Sequence, residues 1–278
     1  MYANTEESRG ILRPRAGAEK FQLSRHMPTQ DLRFFIERYW IVRWDLRGQE
    51  PFLQETLPYP CVHAVLEQNA SRVYGVETGR FSRLLEGKGM VFGIKFRPGA
   101  FHSFTKTPVS RLTNRTISFF EAFGVHYNVL EETLLAQEDE GEMVDIAEQF
   151  LCERQPEQDE NIMLVNQVID AIIVQQTITR VDDIVGQLNI NKRSLQRLFQ
   201  QYVGVTPKWV IQRYRLHQVA EQLNSGVAID WAKLALDLGY FDQAHLIKDF
   251  KMLVGKTPME YAKQIGQDLS LPTFPRRV

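Results

Sequence analysis

Two decapeptides, LFQQYVGVTP from Leu198 and DFKMLVGKTP from Asp249, repeat one short pattern at a shift of 51 residues. Phe199, Val203, Gly204, Thr206 and Pro207 fall on Phe250, Val254, Gly255, Thr257 and Pro258, and Leu195 falls on Leu246. Upstream, Leu188 matches Leu238 at a shift of 50, so the second copy holds one extra residue in between. Leu195, Phe199 and Val203 recur at i, i+4 and i+8, a spacing that lines one face of a helix and turns it to a core. Gly204 and Gly255 stand where such a helix ends in a left-handed conformation. Thr206 can cap the following helix, with Pro207 at its first position, where a missing N–H costs nothing. The repeated letters are therefore scaffold.

Each copy reads as a short helix, a tight turn, a second helix, then a glycine and a capped helix. That is the layout of a helix-turn-helix, whose second helix fits a major groove about 12 Å wide. The outward positions of the first such helix are Lys192, Arg193, Gln196 and Arg197, preceded by Asn191. Arg can pair bidentately with guanine and Gln with adenine, while Lys suits phosphate. On the second helix they are Asp242, Gln243, His245, Lys248 and Lys251, a face of mixed charge on which Asp242 and Asp249 oppose phosphate. The first helix is expected to contribute more affinity. Each position has a plainer alternative: a solvated helix face for the set, a bond inside its own domain for Arg197, and a surface histidine for His245. Arg213 and Arg215, on the connecting helix, are expected to be solvated or intramolecular more than DNA-bound.

The chain's net charge of −1 conceals a division. Residues 161–278 carry 14 Lys and Arg against 10 Asp and Glu, leaving 19 against 24 in residues 1–160. Ile184 to Ala220 contains no acid at all but holds Lys192, Arg193, Arg197, Lys208, Arg213 and Arg215, a stripe suited to a polyanion. At 278 residues there is room for two domains. Residues 1–155 read as a β-rich domain ending in helices, from runs such as CVHAVLEQ, SRVYGVETG and GMVFGIKFRPG and the later helical stretch MVDIAEQFLCER. YWIVRWDL favours strand, while the beginning of FFIERYWIVRWDL stays open between helix and strand. The polar, Pro-interrupted RQPEQDEN (154–161) is the boundary, residues 162–265 read as all helix, and 266–278 as an irregular tail. The connecting helix is expected to stop at Asn224-Ser225-Gly226. No signal peptide and no apolar run of the roughly 20 residues that span a bilayer is visible, and two cysteines, Cys61 and Cys152, suit a reduced cytoplasmic setting.

With SLQRLFQQYVGVTP, RYRLHQVAEQLNSG, LALDLGYFDQAHLIKDFKMLVGKTP and EYAKQ in order over about 100 residues, this half resembles the DNA-binding domain of the AraC/XylS family of bacterial transcription regulators. The resemblance implies two helix-turn-helix units joined by a long helix, with their recognition helices in successive major grooves of double-stranded DNA. Departures are small: the family's Gly-Phe-Ser turn reads Gly239-Tyr240-Phe241, which leaves the cap of the second recognition helix open, and Leu246 replaces a common Phe. ERYWIVRWDL, ETLPYPCVHAVLE and GIKFRPGAFHSF resemble the β-rich, cupin-like jelly-roll domains that precede this module in the family. The resemblance implies a domain that senses a small molecule, dimerises, or both, with RNA polymerase as a further partner and no membrane. Arg97, Trp44 and Tyr74 are the candidates for a ligand pocket. Arg97 is weighed against bracing the turn at Pro98-Gly99, and the aromatics against plain core.

No catalytic residue, cofactor or metal is expected. His26, His63, His102 and His126 show no compact ligand spacing, and neither cysteine has an activating neighbour. The competing classes are an enzyme fused to such a module, which would need an activated cysteine, and a protein-binding helix-turn-helix, which would need an apolar outer face.

Overall fold

A computed structural model describes residues 10–175, 177–225 and 229–270. Gly226 and the tail beyond Ser270 lie outside the described residues. Eight strands follow one another: β1 (Gln22–His26), β2 (Ile36–Asp45), β3 (Phe52–Thr56), β4 (His63–Leu66), β5 (Arg72–Tyr74), β6 (Phe81–Leu85), β7 (Lys88–Phe96) and β8 (Thr116–Ile117). Six of them form an antiparallel sheet in the order β1-β2-β7-β4-β5-β8, and β3 and β6 pair as a separate ribbon. The open stretch from Phe34 resolves into a turn at Phe34 and Phe35 and then strand from Ile36, after a 3-10 turn at Gln30–Leu32.

The long strand β2 shows how the sequence assigns faces. Side chains alternate along a strand, so Tyr39 and Ile41 enter the core with Phe92, Ile94 and Phe96 of β7, while Trp40 and Trp44 turn to the opposite face. A register shift between Ile36 and Arg38 makes Glu37 the extra residue of a bulge. That bulge sets Glu37 against Lys95 and Arg38.

Helices α1 (Pro14–Ala18), α2 (Phe101–Thr105), α3 (Phe119–Phe123), α4 (Asn128–Leu135), α5 (Glu140–Cys152) and α6 (Glu160–Val174) surround and follow the strands. Met143 and Phe150 are buried and Ile146 packs against the same core, as helical spacing requires. Then come α7 (Val181–Leu188), α8 (Lys192–Tyr202), α9 (Pro207–Ser225), α10 (Trp231–Asp237), α11 (Gln243–Val254) and α12 (Pro258–Ser270). The last helix runs five residues past the expected end near Ile265. The polar linker before α6 does not divide the packing. One apolar cluster runs from Phe35 and Phe92 through Phe119 and Phe150 to Ile162, Leu195 and Phe199, joining the sheet to the first helix-turn-helix. The second unit has its own cluster, built on Leu246, Phe250 and Tyr261, into which the N-terminal domain sends Leu12 and Leu57.

Candidate nucleic-acid interface

Both recognition helices are positioned by the repeated residues. Leu195 and Phe199 of α8, and Leu246 and Phe250 of α11, are fully buried. Gly204 and Gly255 adopt φ values of 91° and 81°, the left-handed region that a side chain would strain. Two further pairs do equivalent work with different letters. Asn189 (φ 50°) and Gly239 (φ 76°), matched at the shift of 50, both take the left-handed conformation in the turn between helices. Asn191 and Asp242 both cap the helix that follows: Asn191 Oδ1 accepts from the backbone of Arg193 and Ser194, and Asp242 Oδ1 from His245 N at 2.8 Å. The cap of α11 is thus Asp242, one residue beyond Phe241, whose ring is 88% exposed.

With those side chains committed to the caps, the faces that remain are exposed and polar. Lys192, Arg193, Gln196 and Arg197 lie on the solvent side of α8, and Gln243, His245, Lys248 and Lys251 on that of α11. Lys192 Nζ reaches Asp182 Oδ1 at 2.7 Å across the turn, an exposed pair. Among the described residues the guanidinium groups of Arg193 and Arg197 and the Gln196 amide have no intramolecular bonding partner that would restrain them. On α11, Asp249 stands 3.8 Å from His245 Nε2, keeping an acid beside that face. In a shallow groove, Lys251 is joined by two cations that the recognition helix does not itself supply, Lys256 from the loop after α11 and Lys263 from α12.

The connecting helix contributes no free cation at Arg213 or Arg215. Both are buried: Arg213 donates to the carbonyls of Thr78 and Gly79 and lies 4.4 Å over the Trp209 ring. Arg215 donates to the carbonyls of Gln175 and Ile178 at 3.0 and 2.6 Å. The same turn of each copy is held by the N-terminal domain. Thr113 Oγ1 donates to the Gly204 carbonyl at 2.7 Å, and Arg80 Nη1 to the Val254 carbonyl at 2.8 Å, while pairing with Glu55 at 2.9 Å.

In the N-terminal domain, Trp44 and Tyr74 line a cavity of about 270 Å³ between the main sheet and the β3–β6 ribbon. Arg97 does not line it. Its Nε donates to Asn166 Oδ1 at 3.3 Å while Asn166 Nδ2 donates to Pro98 O, so it braces the Pro98 turn against α6. The four histidines are dispersed: His26 bonds Glu140, His63 accepts from Trp40, His102 packs on Tyr202, and His126 stacks on Phe120. Burial pushes the Cys61 thiol up to about 12, so it is not held as a thiolate. No helix among the described residues is long and apolar enough to cross a membrane.

The fold and surface define a two-domain protein, a β-rich domain followed by paired helix-turn-helix units. Residues 184–264 match a family model described as a helix-turn-helix domain. Residues 24–118 match a second model, "Domain of unknown function (DUF6597)". A protein of Haemophilus influenzae named as an uncharacterized HTH-type transcriptional regulator is 24% identical over 163 residues, which is 58% of this chain and 47% of that protein. The match thus spans about half the length of the curated relative. Similar solved structures include an AraC-type transcriptional regulator of Chromobacterium violaceum (23% identity, 39% of this chain and 94% of that one, TM-score 0.33). Another is ToxT of Vibrio cholerae (13% identity, 88% and 98%, TM-score 0.37).

Proposed function

We propose that the protein is a sequence-specific transcription regulator that sets α8 and α11 into successive major grooves of one DNA face. The observation that carries this is the pair of capped recognition helices, each with its apolar side buried by repeated residues and its polar side open. The nineteen-residue α9 between them is about 28 Å long at 1.5 Å per residue, a span suited to grooves that recur about every 34 Å. Arg193, Gln196 and Arg197 are the base readers on α8, with Lys192 on phosphate. Gln243, His245 and Lys248 take the second groove. Asn191 and Asp242 act there by fixing where each helix begins. Arg80 and Thr113 give the N-terminal domain a direct hold on the turns behind both readers, Arg213 ties the connecting helix to the same domain, and through these contacts an effector or a second copy of the chain would change DNA affinity. RNA polymerase is a further partner that this reading allows. An enzyme reading has no activated thiol to rest on, and the basic face of α8 disfavours a purely protein-binding module.

Selection from random-sequence DNA at moderate salt, followed by gel shift, tests the proposal. The expected product is a bipartite motif with its halves about one helical turn, roughly 10 base pairs, apart. Recovery of no enriched motif would overturn it.

A further inference from the structure

The face of the main sheet turned away from the helices is floored with tryptophan. Trp40 and Trp44, four residues apart on β2, lie across the glycines opposite them on β7, Gly93 and Gly89. A Cβ at Gly93 would stand 1.9 Å from the Trp40 ring and one at Gly89 2.2 Å from that of Trp44, so each indole can lie flat there only over glycine. Both indole N–H groups are already used, Trp40 Nε1 donating to His63 Nδ1 at 3.2 Å and Trp44 Nε1 to Glu86 O at 3.0 Å. The floor therefore offers ring faces and no polar edge. Phe81 and Leu85 of the ribbon stand on the opposite wall, with Val42 between the two indoles.

The charges around the cavity are balanced within the protein. Lys95 Nζ lies 2.8 Å from Glu37, which also binds Arg38. Burial alone would raise the Glu37 carboxyl, but Lys95 and Arg38 hold it down at about 2. Arg83 makes a two-pronged pair with Glu67, and Arg25 is engaged as well. The aromatic faces that would attract a cationic guest already have Lys95 over Tyr59 at 4.6 Å and Arg83 near Trp44 at 5.8 Å. Glu77 lines the cavity too, and burial shifts its carboxyl toward the neutral form. An anionic guest would have to compete with Glu37 or Glu67 for a cation. A neutral guest disturbs neither pair.

Among the lining residues Gln54 Oε1 and Arg83 Nε are buried without a partner, and the polar group set beside the tryptophan floor is His63. Burial, reinforced by the Lys95 charge, lowers the His63 imidazole to about 3, so it is neutral. Trp40 can only donate, which makes Nδ1 the acceptor and places the ring proton on Nε2. That N–H has no acceptor among the described residues, and His63 lines the cavity.

We propose that this cavity is the effector site and takes a flat, neutral, mainly apolar ring system carrying one hydrogen-bond acceptor, a carbonyl or ring nitrogen, set against His63 Nε2. This rests on reading the N-terminal domain as the regulatory one. The test is calorimetric titration of the full chain, without DNA, at neutral pH. Its three probes are coumarin (neutral, with a lactone carbonyl), 1,2-dihydronaphthalene (a similar shape without an acceptor) and coumarin-3-carboxylate (an anion). Coumarin should bind one to one and about tenfold more tightly than 1,2-dihydronaphthalene, the effect of one buried hydrogen bond. The carboxylate should bind more weakly than coumarin. His63→Leu should bring coumarin down to the level of the hydrocarbon, and Val42→Phe, which fills the space between the indoles, should weaken all three. In the wild-type chain alone, any of three results overturns the proposal: no saturable binding by any probe, equal binding of coumarin and hydrocarbon, or preference for the carboxylate. A chain that binds coumarin but selects no DNA motif keeps this site and loses the regulator reading, and the converse loses only the site.

Discussion

The first helix-turn-helix shares its apolar core with the β-rich domain, whereas the second keeps a core of its own. Leu195, Phe199 and Val203 sit in the cluster that also holds Tyr39, Phe92 and Phe101, while Leu246, Phe250 and Val254 meet the N-terminal domain through Leu12, Leu57 and a few polar contacts. The repeated residues are nearly the same, so this difference in embedding comes from their neighbours. Around α8, helices α2 and α6 and the turn at Val109 close over the unit; around α11, the Arg80 guanidinium reaches one carbonyl. One local sentence specifies one local fold twice, and the rest of the chain decides which copy is fixed and which is tethered.

The comparison is broken or upheld most strongly by truncating matched core rings. Phe199→Ala and Phe250→Ala should each cost about 3–5 kcal/mol, the usual loss for a buried Phe. Hydrogen exchange separates them. Phe199→Ala should speed exchange in β2 and β7 as well as α8, because they share a core, whereas Phe250→Ala should leave β2 and β7 as they were. Equal acceleration in the sheet by both variants would mean that the units are embedded alike.

A smaller contrast concerns DNA. Arg193→Ala and Gln196→Ala should each weaken the selected site by about 1–3 kcal/mol and relax base preference locally. Gln243→Ala and Lys248→Ala, on the face that Asp249 accompanies, should cost less. Binding isotherms at one fixed salt concentration rank them, and wild-type affinity and selectivity in both α8 variants would remove that helix as a reader.

The scaffold was legible because it depends on short-range signals: the stripe through Phe199, the glycine after Val203 and the Thr206 cap all act within a few residues. The readers were legible only as a set. Asn191 and Asp242 looked like readers because they differ between copies, yet each cap needs only a side-chain oxygen, which Asn and Asp both supply. Asn189 and Gly239 mask a shared job in the same way. The cavity was half visible. Trp44 and Tyr74 were marked, but Trp40 lying over Gly93, and the unpaired N–H of His63, follow from strand register, which no local spacing states. Arg97, Arg213 and Arg215 were ambiguous because their partners are largely backbone carbonyls and an amide from distant segments. The polar stretch 154–161 reads as a linker by composition, and composition says nothing of the apolar faces that meet across it.

The tether of the second unit can be weakened by itself. Arg80→Met keeps much of the side-chain length and removes the bonds to Val254 O and Glu55. Arg80 is one-third exposed, so the cost should be about 1 kcal/mol. Exchange should rise in α11 and α12 and stay unchanged in α8, whose turn is held separately by Thr113. A rise shared by both recognition helices would show that the two turns are not held independently.

The smallest effect is expected at Lys192, which among the described residues is the one cation of α8 with a partner on its own chain. Lys192 and Asp182 form an exposed pair, a class that contributes about 0–1 kcal/mol and is screened by salt. A DNA phosphate can therefore take the lysine from Asp182 with little loss. Lys192→Ala should reduce affinity by the same factor on specific and random DNA and make the log–log salt slope shallower by about 0.9, one phosphate contact. Asp182→Ala should do the reverse in sign, tightening both kinds of DNA slightly at low salt and not at high salt. A loss in Lys192→Ala confined to the selected sequence would instead make Lys192 a base reader, and would place the whole exposed face of α8, not three of its residues, in the readout.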